Sequence, residues 1–536
     1  MKINNKTMTI TIIMMLLAIV VSFSLCVSPT PTSPASGTPT PAPTAVPATV
    51  GGTLKYASAF GPSDSLDPAN GYVGWYMREA GVYETLFGYD ANMVMQPELA
   101  TGYEKISDTE WRINLRPDVT FHDGTPLNAD AVIFSLNRVL KNNTRSSEYS
   151  FIDSIAKYSD SAVTIKTKTA YAPTIASLTD PIMSIISPNI VNVKTTPDGT
   201  GPFKFMDYTK AVSLTLARND RYWNGTVYLD GVVIYYISDP TTRLLKLQSG
   251  EVDAAYSIPT TDIAGLQASG NYIVYNKPTL RTYFLYFNMK KSPLDNPLFR
   301  QAINYALNKS EVCDTALDGI GGTPATCVFP SIMDWSANDR TGGAGYTYNV
   351  ARAKELLAQA GFKDTNGDGW LEYNGQPFVL SLKTYTSRPQ LKPSAEVIAS
   401  ELNAVGINTK LEAFTSISSD LSSGNYEMAL YAWGVAPTGD PDYITTRFFL
   451  STGAEANKTG YKNTQMDSWL NQARKSFDKT ERKSLYDQVQ IQALNDTPYI
   501  PVFYQNAVVA TSKNVGGVQL FPNEISFITK DMYLKK

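Results

Sequence analysis

The stretch Trp111-Arg112-Ile113-Asn114-Leu115-Arg116-Pro117-Asp118-Val119-Thr120-Phe121-His122-Asp123-Gly124-Thr125-Pro126 is the most informative in the chain. Within it, Phe121-His122-Asp123-Gly124 reads as a turn, and a helix follows. Asn128 is placed to cap that helix, because its side-chain oxygen accepts a backbone N–H that the first turn leaves without a partner. Val132, Leu136, Val139 and Leu140 then share one face, and Asp130 lies near the positive helix end.

Further along the chain, Val163 and Ile165 alternate with polar residues. Val212, Leu214 and Leu216 do the same, as do Phe378, Leu380 and Leu382, and a period of two predicts strands. Residues 232–237 form a continuous apolar and aromatic run, the pattern of a buried strand. Asn296-Pro297 opens a helix with Phe299, Ile303, Ala306 and Leu307 inward. Helices over 349–360 and 393–405 end at Gly361 and Gly406, which suit a left-handed C-terminal cap. The alternation predicts a mixed α/β protein of two large lobes, without an internal repeat.

Composition narrows the function. The 536 residues are 43% hydrophobic, enough to bury a sizeable core and to exclude a wholly disordered chain. Charged residues make up 18%, sparse against about 25% in an average soluble domain. Forty-six basic and 49 acidic residues leave a net charge of −3, which argues against a nucleic-acid partner. His122 is the single histidine, so no site built on several histidines exists, and a structural role is expected for it. Three cysteines exclude a Cys₄ zinc site and a dense disulfide scaffold. Neither a G-x-S-x-G elbow nor a G-x-x-x-x-G-K-[ST] loop is present. No catalytic residue, metal or cofactor is assigned, although paired carboxylates stay open because their pairing is spatial.

The N-terminus reports the compartment. Lys2 and Lys6 precede an apolar run over 8–25, which reads as a secretory signal. The run ends in Phe23-Ser24-Leu25-Cys26, and the cysteine resembles a lipobox cysteine, with Leu25 where Gly or Ala is usual. Lipidation of Cys26 is the leading reading of segment 1–26; an uncleaved membrane helix and plain secretion are the alternatives. All three place the body outside the cytoplasm, and the first two anchor it to the outer face of the cell membrane. Residues 27–50 are rich in Pro, Thr and Ser, which suits an extended stalk. Asn142, Asn224, Asn308, Asn457 and Asn495 begin sequons that permit glycosylation.

From Gly51 onward the chain resembles family 5 of the extracytoplasmic solute-binding proteins, the peptide/nickel class of ABC importers. The stretch quoted first is similar to that family's most recognisable segment. Gly199-Thr200-Gly201-Pro202-Phe203, Asn219 to Trp223, Asp239-Pro240-Thr241-Thr242-Arg243 with Gly250-Glu251-Val252-Asp253, and Phe299-Arg300-Gln301-Ala302-Ile303 follow in the family's order. The resemblance implies a two-lobed periplasmic-binding-protein-like α/β fold. Lobe 1 would comprise 51–90, 198–282 and 503–536, with a subdomain at 91–197 inserted in it, and lobe 2 would span 283–502. It also implies a monomer that captures a small solute between the lobes and delivers it to ABC permease and ATPase subunits.

Tyr385-Thr386-Ser387-Arg388 and Ala436-Pro437-Thr438-Gly439-Asp440-Pro441 resemble the nickel and metal-chelate branch, which favours a metal chelate; a short peptide is the alternative. The expected ligand-binding residues are Tyr72, Trp75, Tyr385, Arg388, Trp433, Asp440 and Tyr443. Arg388 lies on a strand-to-helix connection and would grip a carboxylate. Trp75 and Trp433 would supply stacking faces. Asp440 would hold its loop in preference to meeting a solute amine. Cys313 and Cys327 are expected to form a disulfide, two buried thiols being the alternative. Asp364-Thr365-Asn366-Gly367-Asp368-Gly369 starts like a calcium loop, but its twelfth position is Gly375, so a polar turn is expected. A carboxylate-dependent surface hydrolase and a structural adhesin are the rival classes.

Overall fold

The computed structural model describes residues 51–535 apart from 63, 142–144 and 338–345. Cys26, the signal segment, the stalk and the Asn142 sequon therefore lie outside the described residues. Among those described, no helix is long and apolar enough to cross a membrane.

One eleven-stranded sheet runs through both halves of the body. Its order is Asn408–Phe414, Val379–Tyr385, Met428–Gly434, Tyr272–Phe287, Tyr499–Ser512, Ala254–Tyr256, Thr53–Ser58, Gly231–Tyr236, Ser213–Arg218 and Phe203–Thr209, with Gly322–Pro324 branching from Tyr499–Ser512. Two long strands, Tyr272–Phe287 and Tyr499–Ser512, join the halves as an antiparallel pair. Their register shifts between Pro278 and Thr282, where Pro278 has no N–H to give the ladder. On one side of the shift Tyr272–Phe287 is half-exposed; on the other it is buried throughout.

The halves have separate cores. Leu54, Tyr56, Val82, Phe203, Leu216 and Val232 pack with Val509, Phe527 and Met532, so the first and last described stretches share one core, that of the chain-end half. The other core gathers Phe284, Phe299, Leu382, Ile398, Leu430, Phe448 and Tyr499. A third unit folds between Leu86 and Ile185. Its four-stranded sheet, ordered Ala100–Ser107, Glu110–Leu115, Ala162–Thr167, Ile152–Ser159, is covered by helix Ala129–Lys141. The resulting mixed α/β fold is two-lobed.

Local signals act as the residue chemistry requires. Asn128 accepts from the Ala131 N–H at 2.9 Å, and Asn296 from the Leu298 N–H at 3.0 Å. Gly361 and Gly406 take φ of 93° and 92°. Asp239 caps Thr242 at 2.6 Å, while Arg243, wholly buried, donates to the carbonyls of Ile237, Ser238, Tyr256 and Ser257. His122 Nε2 lies 3.0 Å from the Gly201 carbonyl oxygen, and burial holds its pKa down at about 4. The ring thus fastens the inserted unit to the Gly199–Phe203 turn as a neutral group.

Three expectations need correction. Val212 is exposed in the turn before strand Ser213–Arg218, because Val212 N bonds back to the Thr209 carbonyl. The helix expected over 393–405 starts at Leu391 and takes Pro393 into its first turn, where a missing N–H loses nothing. Cys313 and Cys327 are not joined: both are buried thiols. Cys313 faces the core from helix Lys309–Ala316, whereas the Cys327 sulfur sits 3.2 Å from the Phe329 carbonyl oxygen and 3.4 Å from Ser336 Oγ.

Candidate functional site

A cavity of about 300 Å³ lies between the lobes, beside the register shift of the two long strands. The chain-end half contributes Tyr56, Phe60, Tyr72, Trp75, Glu79 and Glu524; the other half contributes Tyr385, Arg388, Tyr431, Trp433 and Tyr443. The size is that of a small-molecule site.

Helix Val73–Glu79 carries Trp75 and Glu79 to one wall. Trp75 donates from Nε1 to the Glu524 carbonyl oxygen at 2.7 Å. Glu524 also accepts from Arg281 Nε at 2.8 Å and Tyr256 OH at 2.9 Å. Its φ of 59° is rare for a residue with a side chain, and these contacts hold it there. Arg281 stands inside the register shift, where a bulge turns its side chain toward the cavity. The Arg281–Glu524 pair is therefore complete without a solute.

Arg388 sits between strand Val379–Tyr385 and helix Leu391–Ala404. Its guanidinium lies 4.7 Å from the centre of the Phe60 ring, across the cleft. No hydrogen bond or carboxylate partner meets it among the described residues. Tyr385 and Tyr431 pack 4.9 Å apart, and Trp433 follows at 6.2 Å from Tyr431, giving an aromatic wall. Trp433 is half-buried and donates from Nε1 to Tyr286 OH, so its ring orientation is fixed from behind. At Gly434 an added Cβ would stand 3.1 Å from Trp75, so a glycine lets the lobes touch there.

Of the seven expected residues, Tyr72, Trp75, Tyr385, Arg388, Trp433 and Tyr443 line this cavity. Asp440 does not. Its carboxylate takes both guanidinium arms of Arg482, at 2.8 and 2.9 Å, and accepts the Asp442 N–H at 2.9 Å, which is loop support. It borders a second cavity of about 590 Å³, between the inserted unit and helix Asp442–Phe449. Tyr443 borders both. Sequence reading missed Phe60, Glu79, Tyr256, Arg281 and Glu524, since each lies outside any recognisable motif. Glu79 is the most informative of these. Its Oε1 accepts from Tyr56 OH at 3.3 Å, and burial pushes the carboxyl up to about 8, with Glu524 adding to the shift.

The loop at Asp364 brings oxygens of Asp364, Asp368 and Glu372 within 4.8 Å of one another. These carboxylates accept the N–H groups of Gly367, Trp370 and Thr365 at 2.7 to 2.8 Å, as a polar turn does.

Two lobes bridged by paired strands, with an aromatic cavity between them, define a solute-binding protein. The model of the bacterial extracellular solute-binding proteins, family 5, middle region, matches residues 94–456, and the chain belongs to that family. A glutathione-binding protein of Pectobacterium atrosepticum is 29% identical over 490 residues, covering 87% of this chain and 92% of the relative. The ABC transporter-associated periplasmic binding protein DppA of Helicobacter pylori, solved with the peptide STSA, superimposes with a TM-score of 0.77 at 26% identity, covering 91% of this chain and 99% of that one. The nickel-binding protein of Staphylococcus aureus, solved with Ni(L-His)₂, gives a TM-score of 0.79 at 24% identity over 91% of this chain and all of that one, a likeness of fold alone. The protein is an extracytoplasmic solute-binding component of an ABC importer.

Proposed function

We propose that the interlobe cavity captures a small solute bearing a carboxylate, a short peptide or a carboxylate chelate, and that Arg388 is its anchor. The observation that carries this reading is a guanidinium facing the cavity with no carboxylate of its own, only the Phe60 ring. A charge held out of water favours a ligand that supplies the missing partner, and a bidentate carboxylate fits its fork. Trp75, Trp433, Tyr72, Tyr385 and Tyr443 would cover the apolar part of the solute. The peptide and glutathione relatives support a solute of this kind. The protein acts by binding without turnover, as a monomer. It is held at the outer face of the membrane by the N-terminal segment, through lipidated Cys26 or an uncleaved helix, and passes its solute to a permease.

Mass spectrometry of solute released from the purified full-length chain tests the reading. A carboxylate-bearing species should co-purify and should be missing from Arg388→Ala. The substitution should weaken binding by about thirtyfold, equivalent to about 2 kcal/mol. Unaltered affinity by calorimetry would remove Arg388 from the site.

A further inference from the structure

Four acidic or basic side chains border the interlobe cavity: Arg281, Glu524, Arg388 and Glu79. Arg281 and Glu524 satisfy each other at 2.8 Å. Arg388 and Glu79 remain, one from each lobe and of opposite sign. Glu79 has one contact, the Tyr56 hydroxyl on Oε1, and its second oxygen meets no donor among the described residues. The groups around it are Tyr56 on the first strand, Tyr76 on its own helix, Tyr236 on the neighbouring strand, and Glu524 with its Arg281. Of these only Arg281 carries positive charge, and Glu524 already takes it.

A carboxyl half out of water without a cation is unfavourable unless something else gives it one. We propose that Glu79 receives the protonated amine of the solute, so that the site selects a small zwitterion whose carboxylate lies on Arg388 and whose ammonium lies on Glu79. This rests on the Arg388 reading above and goes further, because it favours a free short peptide over an anionic metal chelate. An anionic chelate would bring no cation to Glu79 and would meet it only in its protonated form. In the empty cavity Glu79 keeps its proton at neutral pH. An arriving ammonium favours the carboxylate, and the displaced proton leaves to solvent.

The full-length chain in detergent is equilibrated with an equimolar library of free di- and tripeptides. Parallel samples receive the same library N-acetylated, the same library C-amidated, and the anionic Ni(II)–EDTA complex, with retention read by native mass spectrometry. Wild type should retain the free library and lose about thirtyfold of that retention on N-acetylation, the loss of one charged hydrogen bond. Glu79→Gln should retain free and N-acetylated peptides alike. Calorimetry of the retained species at pH 6.5 in buffers of different ionisation enthalpy should show a proton released by wild type and none by Glu79→Gln. If wild type holds N-acetylated peptides as well as free ones, in an Arg388-dependent manner, the Glu79 assignment falls and the carboxylate anchor stands. Retention of the nickel complex alone has the same consequence for Glu79. Retention of C-amidated peptides at full strength overturns the Arg388 anchor instead. Retention of nothing overturns both.

Discussion

The interlobe cavity and its larger neighbour meet at Tyr443 and treat charge in opposite ways. Around the neighbour every charged side chain is paired. Asp440 holds Arg482, Asp442 holds Arg474 at 3.1 Å, and Glu148 of the inserted unit meets Arg447. Around the interlobe cavity, Arg388 and Glu79 form no ion pair among the described residues, while Glu524 is taken by Arg281. Burying a pair without other gain is unfavourable, and breaking one leaves an uncompensated charge. Pairs around the larger cavity therefore read as scaffold, and the unpaired groups as points of contact for something that comes and goes.

The comparison can be broken most sharply at Asp440. Its side chain and that of Arg482 are each 9% exposed. Asp440→Ala should lower stability by about 3–5 kcal/mol, read as an earlier midpoint in equilibrium denaturation. Arg388→Ala should leave the midpoint of the unliganded protein nearly unchanged, its effect appearing in affinity alone. If both substitutions change the same quantity, the two cavities do not differ as described.

A pH series sharpens the contrast at Glu79. An ordinary glutamate near 4.5 in the unfolded chain becomes about 8 in the folded one. Below pH 4.5 both states hold the proton. Between 4.5 and 8 the unfolded chain releases it first, so this group's contribution to stability declines as pH rises, and the loss is complete above 8. Wild type should lose stability relative to Glu79→Gln across that window. Parallel curves would place Glu79 in a normal carboxylate environment.

The smallest expected effect is at Gly434. Its added Cβ in Gly434→Ala would press on Trp75 at 3.1 Å, across the line where the lobes meet. Affinity should fall severalfold while the unfolding midpoint stays put. A drop in stability without a change in affinity would make the contact ordinary packing.

Much of the fold was legible because its signals are local. Asn128 and Asn296 cap helices through groups two or three residues away, and the alternation at Val163 and Ile165 needs only its own strand. The aromatic side of the cavity was legible too, since Trp75, Tyr385, Arg388 and Trp433 lie beside recognisable segments. The disulfide expectation failed because spacing along the chain does not report which way two side chains face.

By itself the sequence determined the α/β elements, their capping, the ordered motifs that mark the family, and a cleft rich in aromatic side chains. Only the tertiary structure decided which charges are satisfied. Asp440 and Arg482 are 42 residues apart, and Arg281 and Glu524 are 243 apart. The first separation is closed inside one half, where helix Lys479–Asp496 carries Arg482 to the loop before helix Asp442–Phe449, and the second by the long strand Tyr272–Phe287 that carries Arg281 to Glu524. A pattern that repeats every two or four residues follows from backbone geometry and can be read from a window. The fate of a charge depends on what burial removes and what a distant segment supplies, so Glu79 stood out only once the chain had folded, and Arg388, placed by its segment, showed its lack of an ion pair only then.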